Sequence, residues 1–397
     1  MNIFPSILTK LYQNFAIQKL VRITPFRLNC KIVCRGGELV VEKRVKIGVA
    51  GLIRGKGIAE QILLLDNASL CAICDTDAAR LCEVERWLMT EKKAPKLFCT
   101  TNFDELIASD IDAVFIATHV DCHAECAIKA LRAGKHVLSE IPAVTSLDEA
   151  HALKAEVLSH PNLKYMSAEN CCYWAFVQGW KRMYEEGKFG DIVLAQGEYL
   201  HGKYYSNDIE CNLPTDHWRL NLPAIQYITH TLGPLLYIMD DRCVSVTCLE
   251  PEMVHFAKRS SPSNGIALFE TAKGAAIRIS ICFGAFVGFD HNYSMYGTKG
   301  MIETDNTTSF FDAHSFARFA DVPDSCGDKI DIPVTLKFPG ATLDGHGGAD
   351  FLMLSDFADC IINDTKPPLD INWALRMALP GIYAHMSALS GGNRIEF

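Results

Sequence analysis

From Val45 onward the chain alternates short apolar runs with helix-like segments. VKIGVA is followed by a glycine-rich turn and a helical pattern, and the runs SLCAICD and DAVFIAT are each followed by another helical pattern. Short runs as apolar as these are typical of strands buried on both faces, and a helix between two strands returns the chain so that they pair in parallel. The sequence therefore predicts an α/β fold in this part of the chain, a doubly wound parallel sheet of the Rossmann type.

The turn after the first strand has the composition of a dinucleotide site. Gly51-Leu52-Ile53-Arg54-Gly55-Lys56-Gly57 stands between a strand and a helix, where backbone N–H groups and the helix dipole can meet a pyrophosphate. The spacing is imperfect because Ile53 takes the place of the second glycine, so a purely structural turn is the alternative. Asp75 ends the second strand, where a carboxylate binds the ribose hydroxyls of NAD and repels the extra phosphate of NADP. NAD is therefore favoured, while Arg54 and Lys56 keep NADP open.

A different pattern begins after a first domain that we expect to span residues 45–165. The segment WAFVQGWKRMYEEGKFG is helix-like and ends at a glycine, and the strand-like runs GIALFET and AAIRISICF follow close together. Closely spaced strands separated by turn residues indicate an open, mainly antiparallel sheet. Residues 166–397 are therefore predicted to form a second, α+β domain, and residues 1–44 an N-terminal extension.

Composition narrows the classes of function. A formal net charge of −9 argues against a nucleic-acid-binding surface. No apolar run reaches the roughly 18 to 20 residues that a membrane-spanning helix needs. Many of the 16 cysteines lie inside apolar runs, which favours free thiols in a reducing cytoplasm over a disulfide framework. We therefore expect a cytoplasmic enzyme that acts on a small molecule and binds neither nucleic acid nor a membrane.

Several motifs together resemble the Gfo/Idh/MocA oxidoreductases, from Val45 to the C-terminus. They are DAVFIAT followed by His123, ALRAGKHVLSE, and GTKG at residues 297–300. The resemblance implies a Rossmann domain that binds a nicotinamide cofactor, a sugar or cyclitol substrate, and a C-terminal domain whose open sheet often forms homo-oligomers, here a dimer or tetramer. The lysine of the family's EKP signature is missing, because Ile141 stands in its place. Another residue must then handle the substrate proton.

With the lysine absent, the chain resembles one branch of the superfamily, the NAD-dependent α-N-acetylgalactosaminidases. The matching motifs are EIP at 140–142, EN at 169–170, EYLH at 198–201, WR at 218–219 and YITHTLGP at 227–234. Those glycosidases are understood to oxidise the sugar at carbon 3, eliminate the aglycone, add water and reduce the product. The turn and the resemblance together predict cofactor contacts from Gly51, Ile53, Arg54, Gly55, Asp75, Thr118, His123, Glu140, Ile141 and Asn170. The predicted sugar site consists of Tyr199, Arg219, Tyr227, Thr229 and His230.

Tyr227 and His230 are the first candidates for proton transfer. Three residues apart, they share one face of a helix, and a histidine titrates near neutral pH. The alternative is that both side chains only pack within the helix. Tyr199 and His201 project to one side of a strand, so one of them is a candidate second acid or base unless the pair only stacks on the sheet. Glu140, at the carboxyl end of a strand, is expected to serve the cofactor or the reaction.

Other polar residues allow more than one interpretation. Arg219 is expected to hold sugar oxygens, or else to form a surface ion pair. Asp350, in GHGGAD, is expected to touch the site or to cap a helix. His119, His123 and His201 follow no metal-binding spacing, so no metal is predicted.

Three functions fit these features. The first is an NAD-dependent oxidoreductase that acts on a sugar or glycoside at carbon 3, with Tyr227 and His230 as acid and base. The second is an NAD-dependent glycoside hydrolase that uses the same residues. The third is a non-catalytic NAD-bound sensor. The first would accumulate NADH as substrate is consumed, whereas the second would release the aglycone without net NADH.

Overall fold

A computed structural model of the chain describes residues 30–35, 38–201, 217–251, 260–283, 289–305, 314–321, 330–332 and 344–397. The chain divides after Arg44 into two units. In the first unit β1 (Cys30–Arg35) pairs with β2 (Glu38–Lys43) in an antiparallel arrangement. Most of the predicted extension over residues 1–44 falls outside the described residues.

The second unit begins with a six-stranded sheet. Its strands are β3 (Val45–Ala50), β4 (Ala68–Cys74), β5 (Phe98–Thr100), β6 (Ala113–Ile116), β7 (His136–Ser139) and β8 (Tyr165–Ser167). They lie in the order β5-β4-β3-β6-β7-β8, and all five pairings are parallel. The predicted doubly wound sheet is confirmed. Because the order reverses between β3 and β6, their carboxyl ends flank the crevice where open α/β sheets bind ligands.

Helices connect these strands and cover the sheet. They are Leu52–Leu64, Ala78–Thr90, Phe103–Ala108, His123–Arg132 and Leu147–Ser159. Three of them begin where the sequence supplies a cap, because the side chains of Asp77, Asn102 and Ser146 accept hydrogen bonds from N–H groups of the first turn. Apolar side chains of the sheet and helices form two buried clusters, one of which continues into the rest of the chain.

A nine-stranded sheet forms the second half of this unit. Its strands are β9 (Ile192–His201), β10 (Cys243–Leu249), β11 (Asn264–Thr271), β12 (Ala276–Cys282), β13 (Phe289–Gly297), β14 (Gly300–Thr304), β15 (Ser315–Phe319), β16 (Ile330–Ile332) and β17 (Ile395–Glu396). The order is β16-β15-β14-β13-β9-β12-β11-β10-β17. Only β9 and β12 pair in parallel; the other pairings in the described ranges are antiparallel. This arrangement confirms the prediction of an open, mainly antiparallel sheet.

The two faces of the nine-stranded sheet differ in exposure. Along β11, Ala267 and Phe269 are buried, while the alternating residues Ile266 and Leu268 keep 55% and 57% of their surface exposed. Leu249, opposite Ile266 on β10, is 61% exposed. One face therefore packs against the core and the other presents apolar side chains to solvent.

Helices of the second half pack on the buried face and against the parallel sheet. They are Ala175–Glu185, Trp218–Asn221, Thr229–Met239, Ala349–Ile362 and Ile371–Leu389, with short 3-10 turns at Asn170–Tyr173 and Ala224–Tyr227; a further 3-10 turn, Val120–Cys122, follows β6 in the parallel sheet. The helix Ala349–Ile362 contacts Leu52–Leu64, and Ile371–Leu389 contacts β8. A residue near position 350 therefore lies beside the glycine-rich turn. Over the described ranges, the helices are too short or too polar to cross a bilayer. The domain boundary at residue 165 stays a prediction.

Candidate active site

The glycine-rich turn lies at the carboxyl end of β3. Gly51 has a φ of 84°, and a Cβ atom there would lie 2.2 Å from the carbonyl oxygen of Ala117, so the position requires glycine. The helix Leu52–Leu64 begins at the next residue. A cavity of about 370 Å³ opens here, lined by residues that include Gly51, Leu52, Ile53, Arg54, Asp75, Arg80, Thr118, His119, His217 and Arg219. A helix N-terminus facing a cavity at the switch point of the sheet fits the pyrophosphate of a dinucleotide.

Asp75 lies at the end of β4, on the wall of this cavity. Its Oδ2 accepts a hydrogen bond from the backbone N–H of Leu52 at 2.7 Å, and its Oδ1 accepts one from that of Asp77 at 2.9 Å. Arg80, which the sequence analysis did not identify, donates to Oδ1 at 3.2 Å and also lines the cavity. Lys56 is not among the lining residues, so Arg80 replaces it as a cation beside the expected ribose position.

Arg54 joins two carboxylates across the cleft. Its Nε donates to Oε1 of Glu140 at 2.8 Å, and its Nη1 and Nη2 donate to Oδ2 and Oδ1 of Asp350 at 2.9 and 2.7 Å. Burial alone would lower the pKa of Arg54, but the two carboxylates raise it above its ordinary value. For Asp350 burial acts in the opposite direction and would raise the pKa, but the charges of Arg54 and His346 hold it below the usual range. Arg54 and Asp350 therefore both stay charged at neutral pH.

Asp350 also binds a histidine and an amide. The Nδ1–H of His346 donates to Oδ2 at 3.0 Å, and Nδ2 of Asn170 donates to Oδ1 at 3.3 Å. Asp350 is fully buried and makes no side-chain cap for the helix that begins at Ala349. Of the two alternatives weighed for Asp350, the structure places it in the polar network of the cleft.

Four residues predicted for the sugar chemistry lie together beside this network. The ring of Tyr199 is 6.1 Å from that of Tyr227, 5.7 Å from that of His230 and 5.4 Å from that of His201. The rings of Tyr227 and His230 are 5.3 Å apart. Burial raises the pKa of Tyr227, so this phenol is protonated at neutral pH. The cluster combines an imidazole with a neutral hydrogen-bond donor.

A buried carboxylate holds His230. Nδ1 lies 2.7 Å from Oε1 of Glu169 and 3.1 Å from Sγ of Cys171. Glu169 is fully buried, which would raise its pKa, but the charge and hydrogen bond of His230 hold it below its ordinary value. Because an ionised carboxylate accepts from Nδ1–H, the other ring nitrogen, Nε2, is the one that can exchange a proton with a ligand. Glu169 entered the sequence analysis only as part of the EN motif.

The same three residues are also a possible metal site. Glu169, Cys171 and His230 each offer a ligand atom, and these atoms lie within 4.8 Å of one another. At their present separations they already hydrogen-bond to each other. The expectation of no metal therefore stays a prediction.

Strand β13 fixes the backbone of His230. Pro234 lies inside the helix Thr229–Met239 and has no N–H to donate to the carbonyl of His230 four residues earlier. The hydroxyl of Tyr293 donates to that carbonyl at 2.5 Å. His291, two residues before Tyr293, has its ring 4.6 Å from that of Tyr199, and burial lowers its pKa well below the ordinary value. The sequence analysis missed both residues of β13, because the pairing of His291 with Tyr199 is a long-range register.

The remaining residues predicted to contact the cofactor or the sugar are partly buried in the protein and partly on the cavity wall. His123 is buried, and its ring nitrogens lie 3.0 and 3.2 Å from the carbonyl oxygens of Pro142 and Thr118, so it braces the loop that carries Thr118. Arg219 lines the cavity and lies over the ring of Trp218 at 4.9 Å. The other three predicted residues, Gly55, Ile141 and Thr229, are buried.

Family models match most of the second unit. Residues 45–167 match an oxidoreductase family with an NAD-binding Rossmann fold, and residues 177–303 match a Gfo/Idh/MocA C-terminal domain. The chain belongs to the Gfo/Idh/MocA oxidoreductases. Residues 263–397 of this Gfo/Idh/MocA protein match the C-terminal domain of glycosyl hydrolase 109. The predicted superfamily, its glycosidase-like branch and an enzymatic, NAD(H)-binding nature are thereby confirmed.

Similar proteins agree with this assignment. A glycosyl hydrolase family 109 protein of Solibacter usitatus is 27% identical over 390 residues, covering 89% of this chain and 87% of its own. A family 109 protein of Phocaeicola vulgatus is 28% identical over 379 residues, covering 82% and 72%. Levoglucosan dehydrogenase in complex with NADH and levoglucosan superimposes with a TM-score of 0.76 at 19% identity, covering 89% of this chain and 99% of that one. An oxidoreductase from Agrobacterium radiobacter in complex with NAD+ superimposes with a TM-score of 0.73 at 16% identity, covering 89% of this chain and 98% of that one. These last two show the Gfo/Idh/MocA fold.

Proposed function

We propose that the protein is an NAD-dependent glycoside hydrolase that oxidises its sugar at carbon 3, eliminates the aglycone, adds water and reduces the product. The observation that carries the oxidation step of this proposal is the Glu169–His230 pair beside Tyr199 and Tyr227, in a chain whose signature lysine is replaced by Ile141. The names of the family 109 relatives and the match of residues 263–397 support hydrolysis over simple dehydrogenation.

Each residue of the site has a role in this proposal. His230, oriented by Glu169, takes the hydroxyl proton through Nε2, and protonated Tyr227 donates a hydrogen bond to the reacting oxygen. Arg219 and Tyr199 hold the ring of the sugar. Glu140 is fixed by Arg54 at the carboxyl edge of the parallel sheet. NAD, when bound, supplies the hydride acceptor, and the same cofactor returns the hydride at the end of the cycle.

We propose NAD rather than NADP as the working cofactor. The carboxylate of Asp75 lies on the cavity wall, already holds the N–H of Leu52, and would repel a 2′-phosphate. Arg80 forms an ion pair with that carboxylate, which reduces its capacity to attract a phosphate. Tighter binding of NADP than of NAD in a fluorescence titration would contradict this choice.

We also propose that the open face of the nine-stranded sheet binds a second copy of this chain. Ile266, Leu268 and Leu249 form an exposed apolar group on neighbouring strands, while the opposite face is buried. Exposed apolar groups of this kind on a sheet are typical of protein interfaces. The proposal includes a homo-oligomer, as a dimer or tetramer.

The test of hydrolysis uses 4-nitrophenyl glycosides, among them the α-N-acetylgalactosaminide, with nitrophenol release and NADH absorbance followed together. Hydrolysis predicts release of nitrophenol over many turnovers without net NADH. A plain dehydrogenase, which the same Glu169–His230 pair would equally serve, predicts one NADH for each substrate consumed. Bound cofactor with neither signal on a broad sugar panel would favour the NAD-bound sensor.

A variant connects the activity to the site. His230→Ala is expected to bind NAD as the wild type does and to lose turnover by about 100-fold or more, because general acid–base catalysis contributes on that scale. His151→Ala, at an exposed position on the helix Leu147–Ser159, is the control and should keep full activity. Full activity in His230→Ala would remove this residue from the mechanism.

A further inference from the structure

The cleft contains a second histidine held by a buried carboxylate. His346 and Asp350 repeat the arrangement of His230 and Glu169: each imidazole points Nδ1 at a carboxylate that is fully buried, at 3.0 and 2.7 Å. The His346 side chain is 40% exposed and that of His230 is 16% exposed. In both pairs the carboxylate fixes the Nδ1–H tautomer, and proton exchange with a ligand then falls to Nε2.

A continuous series of contacts joins the two pairs. From Nδ1 of His230, Sγ of Cys171 is 3.1 Å away, and that thiol lies 3.5 Å from Oδ1 of Asn170. The amide nitrogen of the same Asn170 donates to Asp350 at 3.3 Å, and Asp350 binds His346. The two imidazoles therefore belong to one polar network.

The backbone conformation of His346 is further evidence that its side chain has a function. Residues 345–348 all have positive φ, and His346, with φ of 54°, is the one among them that is not a glycine. A side chain in this conformation costs free energy that a glycine would avoid, and such strain is found where a side chain must be held in place. Glycine, which its three neighbours carry, would complete the turn without that cost.

We infer that His346 is a second acid–base residue of the reaction, acting at carbon 2 of the sugar in the elimination and hydration steps. This inference rests on the proposed hydrolysis, because a simple dehydrogenase needs a proton acceptor only at the oxidised hydroxyl. In elimination, Nε2 of His346 takes the proton from carbon 2, the C–H electron pair forms the carbon 1–carbon 2 double bond, and the bond from carbon 1 to the aglycone oxygen breaks. His346 then passes its proton to the departing oxygen. In hydration the same imidazole takes a proton from water as the hydroxide adds to carbon 1, and returns it to carbon 2.

The first test separates the oxidation step from the elimination step. His346→Asn suits a positive φ and removes the titratable ring, so the fold is expected to persist. In single turnovers, NADH formation in this variant should stay within about threefold of the wild type, whereas nitrophenol release and exchange of the carbon 2 hydrogen with D2O should fall about 100-fold, the scale of acid–base catalysis. His346→Gly should behave in the same way and recover nitrophenol release when imidazole is added. His151→Asn is the matched control.

The second test measures proximity without turnover. Diethylpyrocarbonate labelling of His346, followed by peptide mass spectrometry, should be suppressed by a bound non-hydrolysable sugar, while labelling of His151 should not change. If NADH formation and nitrophenol release fall together in His346→Asn, or if imidazole fails to restore release in His346→Gly, His346 is not the second acid–base residue. Unprotected labelling, or unchanged carbon 2 exchange in the variant, would also overturn the assignment. Wild-type enzyme that forms NADH but never exchanges carbon 2 would overturn the proposed hydrolysis and this role together.

Discussion

At the scale of residues, we propose that imidazoles held by buried carboxylates take the place of the lysine of the family signature. Lysine in the family signature can reach a substrate from the Rossmann domain, whereas Ile141 is buried and apolar. In the proposed mechanism the proton transfer falls to His230, whose partner Glu169 lies 61 positions away in the sequence. The YITH motif made His230 a candidate, but the sequence could not assign its partner, since no local pattern encodes a contact across 61 residues.

Asp350 offers a prediction about stability at this scale. Asp350→Asn removes the buried charge that pairs with Arg54, and we expect it to lower the free energy of unfolding at pH 7 by about 3 kcal/mol, as when one partner of a buried ion pair is removed. The folded-state pKa of Asp350 is depressed, so its stabilising contribution is full above the ordinary carboxyl pKa near 3.9 and is lost as the pH falls below it. Urea unfolding between pH 3 and pH 7 measures both effects.

The control for this prediction is Asp359→Asn, an exposed position on the same helix, which should change the unfolding free energy by less than about 0.5 kcal/mol. A difference between Asp350→Asn and wild type that grows as the pH falls below 4 would contradict the assignment of a depressed pKa.

At the scale of elements, much of the Rossmann half could be predicted, because its signals are local. Apolar runs define β3, β4, β6 and β7, and Asp77, Asn102 and Ser146 cap helices at the positions their sequences indicate. The short strand β5, with the sequence FCT, has no such run. The second sheet was predictable only as a class. Its parallel pairing of β9 with β12, and the register that sets His291 opposite Tyr199, depend on contacts between distant strands.

The glycine-rich turn gives a prediction at the scale of elements. Gly51→Ala would place a methyl group about 2.2 Å from the carbonyl oxygen of Ala117 at a φ of 84°, so the turn must shift away from Ala117. We expect NAD affinity, measured by fluorescence titration, to fall at least about 10-fold. A backbone displacement at this position should cost more binding free energy than the roughly 1.4 kcal/mol that corresponds to a tenfold change.

Gly57→Ala is the matched control, since the same turn sequence contains this glycine but its Cβ would meet only the end of the Arg54 side chain, at 3.9 Å. It lies inside the helix Leu52–Leu64, where alanine is favoured over glycine by about 0.5 to 1 kcal/mol. Equal losses of affinity in the two variants would mean that the conformation of Gly51 is not what the cofactor requires.

At the scale of the whole molecule, the nine-stranded sheet leaves one apolar face uncovered. Leu268→Lys places a charge at its exposed centre, opposite Arg278 on β12, and should shift the protein from an oligomer to a smaller species in light scattering after size exclusion. Leu158→Lys, on the helix Leu147–Ser159 and 64% exposed, should leave the molar mass unchanged. A monomeric wild type, or an unchanged mass for Leu268→Lys, would exclude this face as the contact between copies.

The ion network at Arg54 affects the order in which a newly made chain completes its nucleotide-binding cleft. Asp350 is 296 positions after Arg54, so a ribosome must deliver most of the polypeptide before this arginine can meet its buried partner. The parallel sheet, complete by Ser167, can assemble much earlier. During synthesis the nucleotide-binding half would therefore exist for a time with Arg54 paired to Glu140 alone, and the emergence of the helix Ala349–Ile362 would add the second carboxylate.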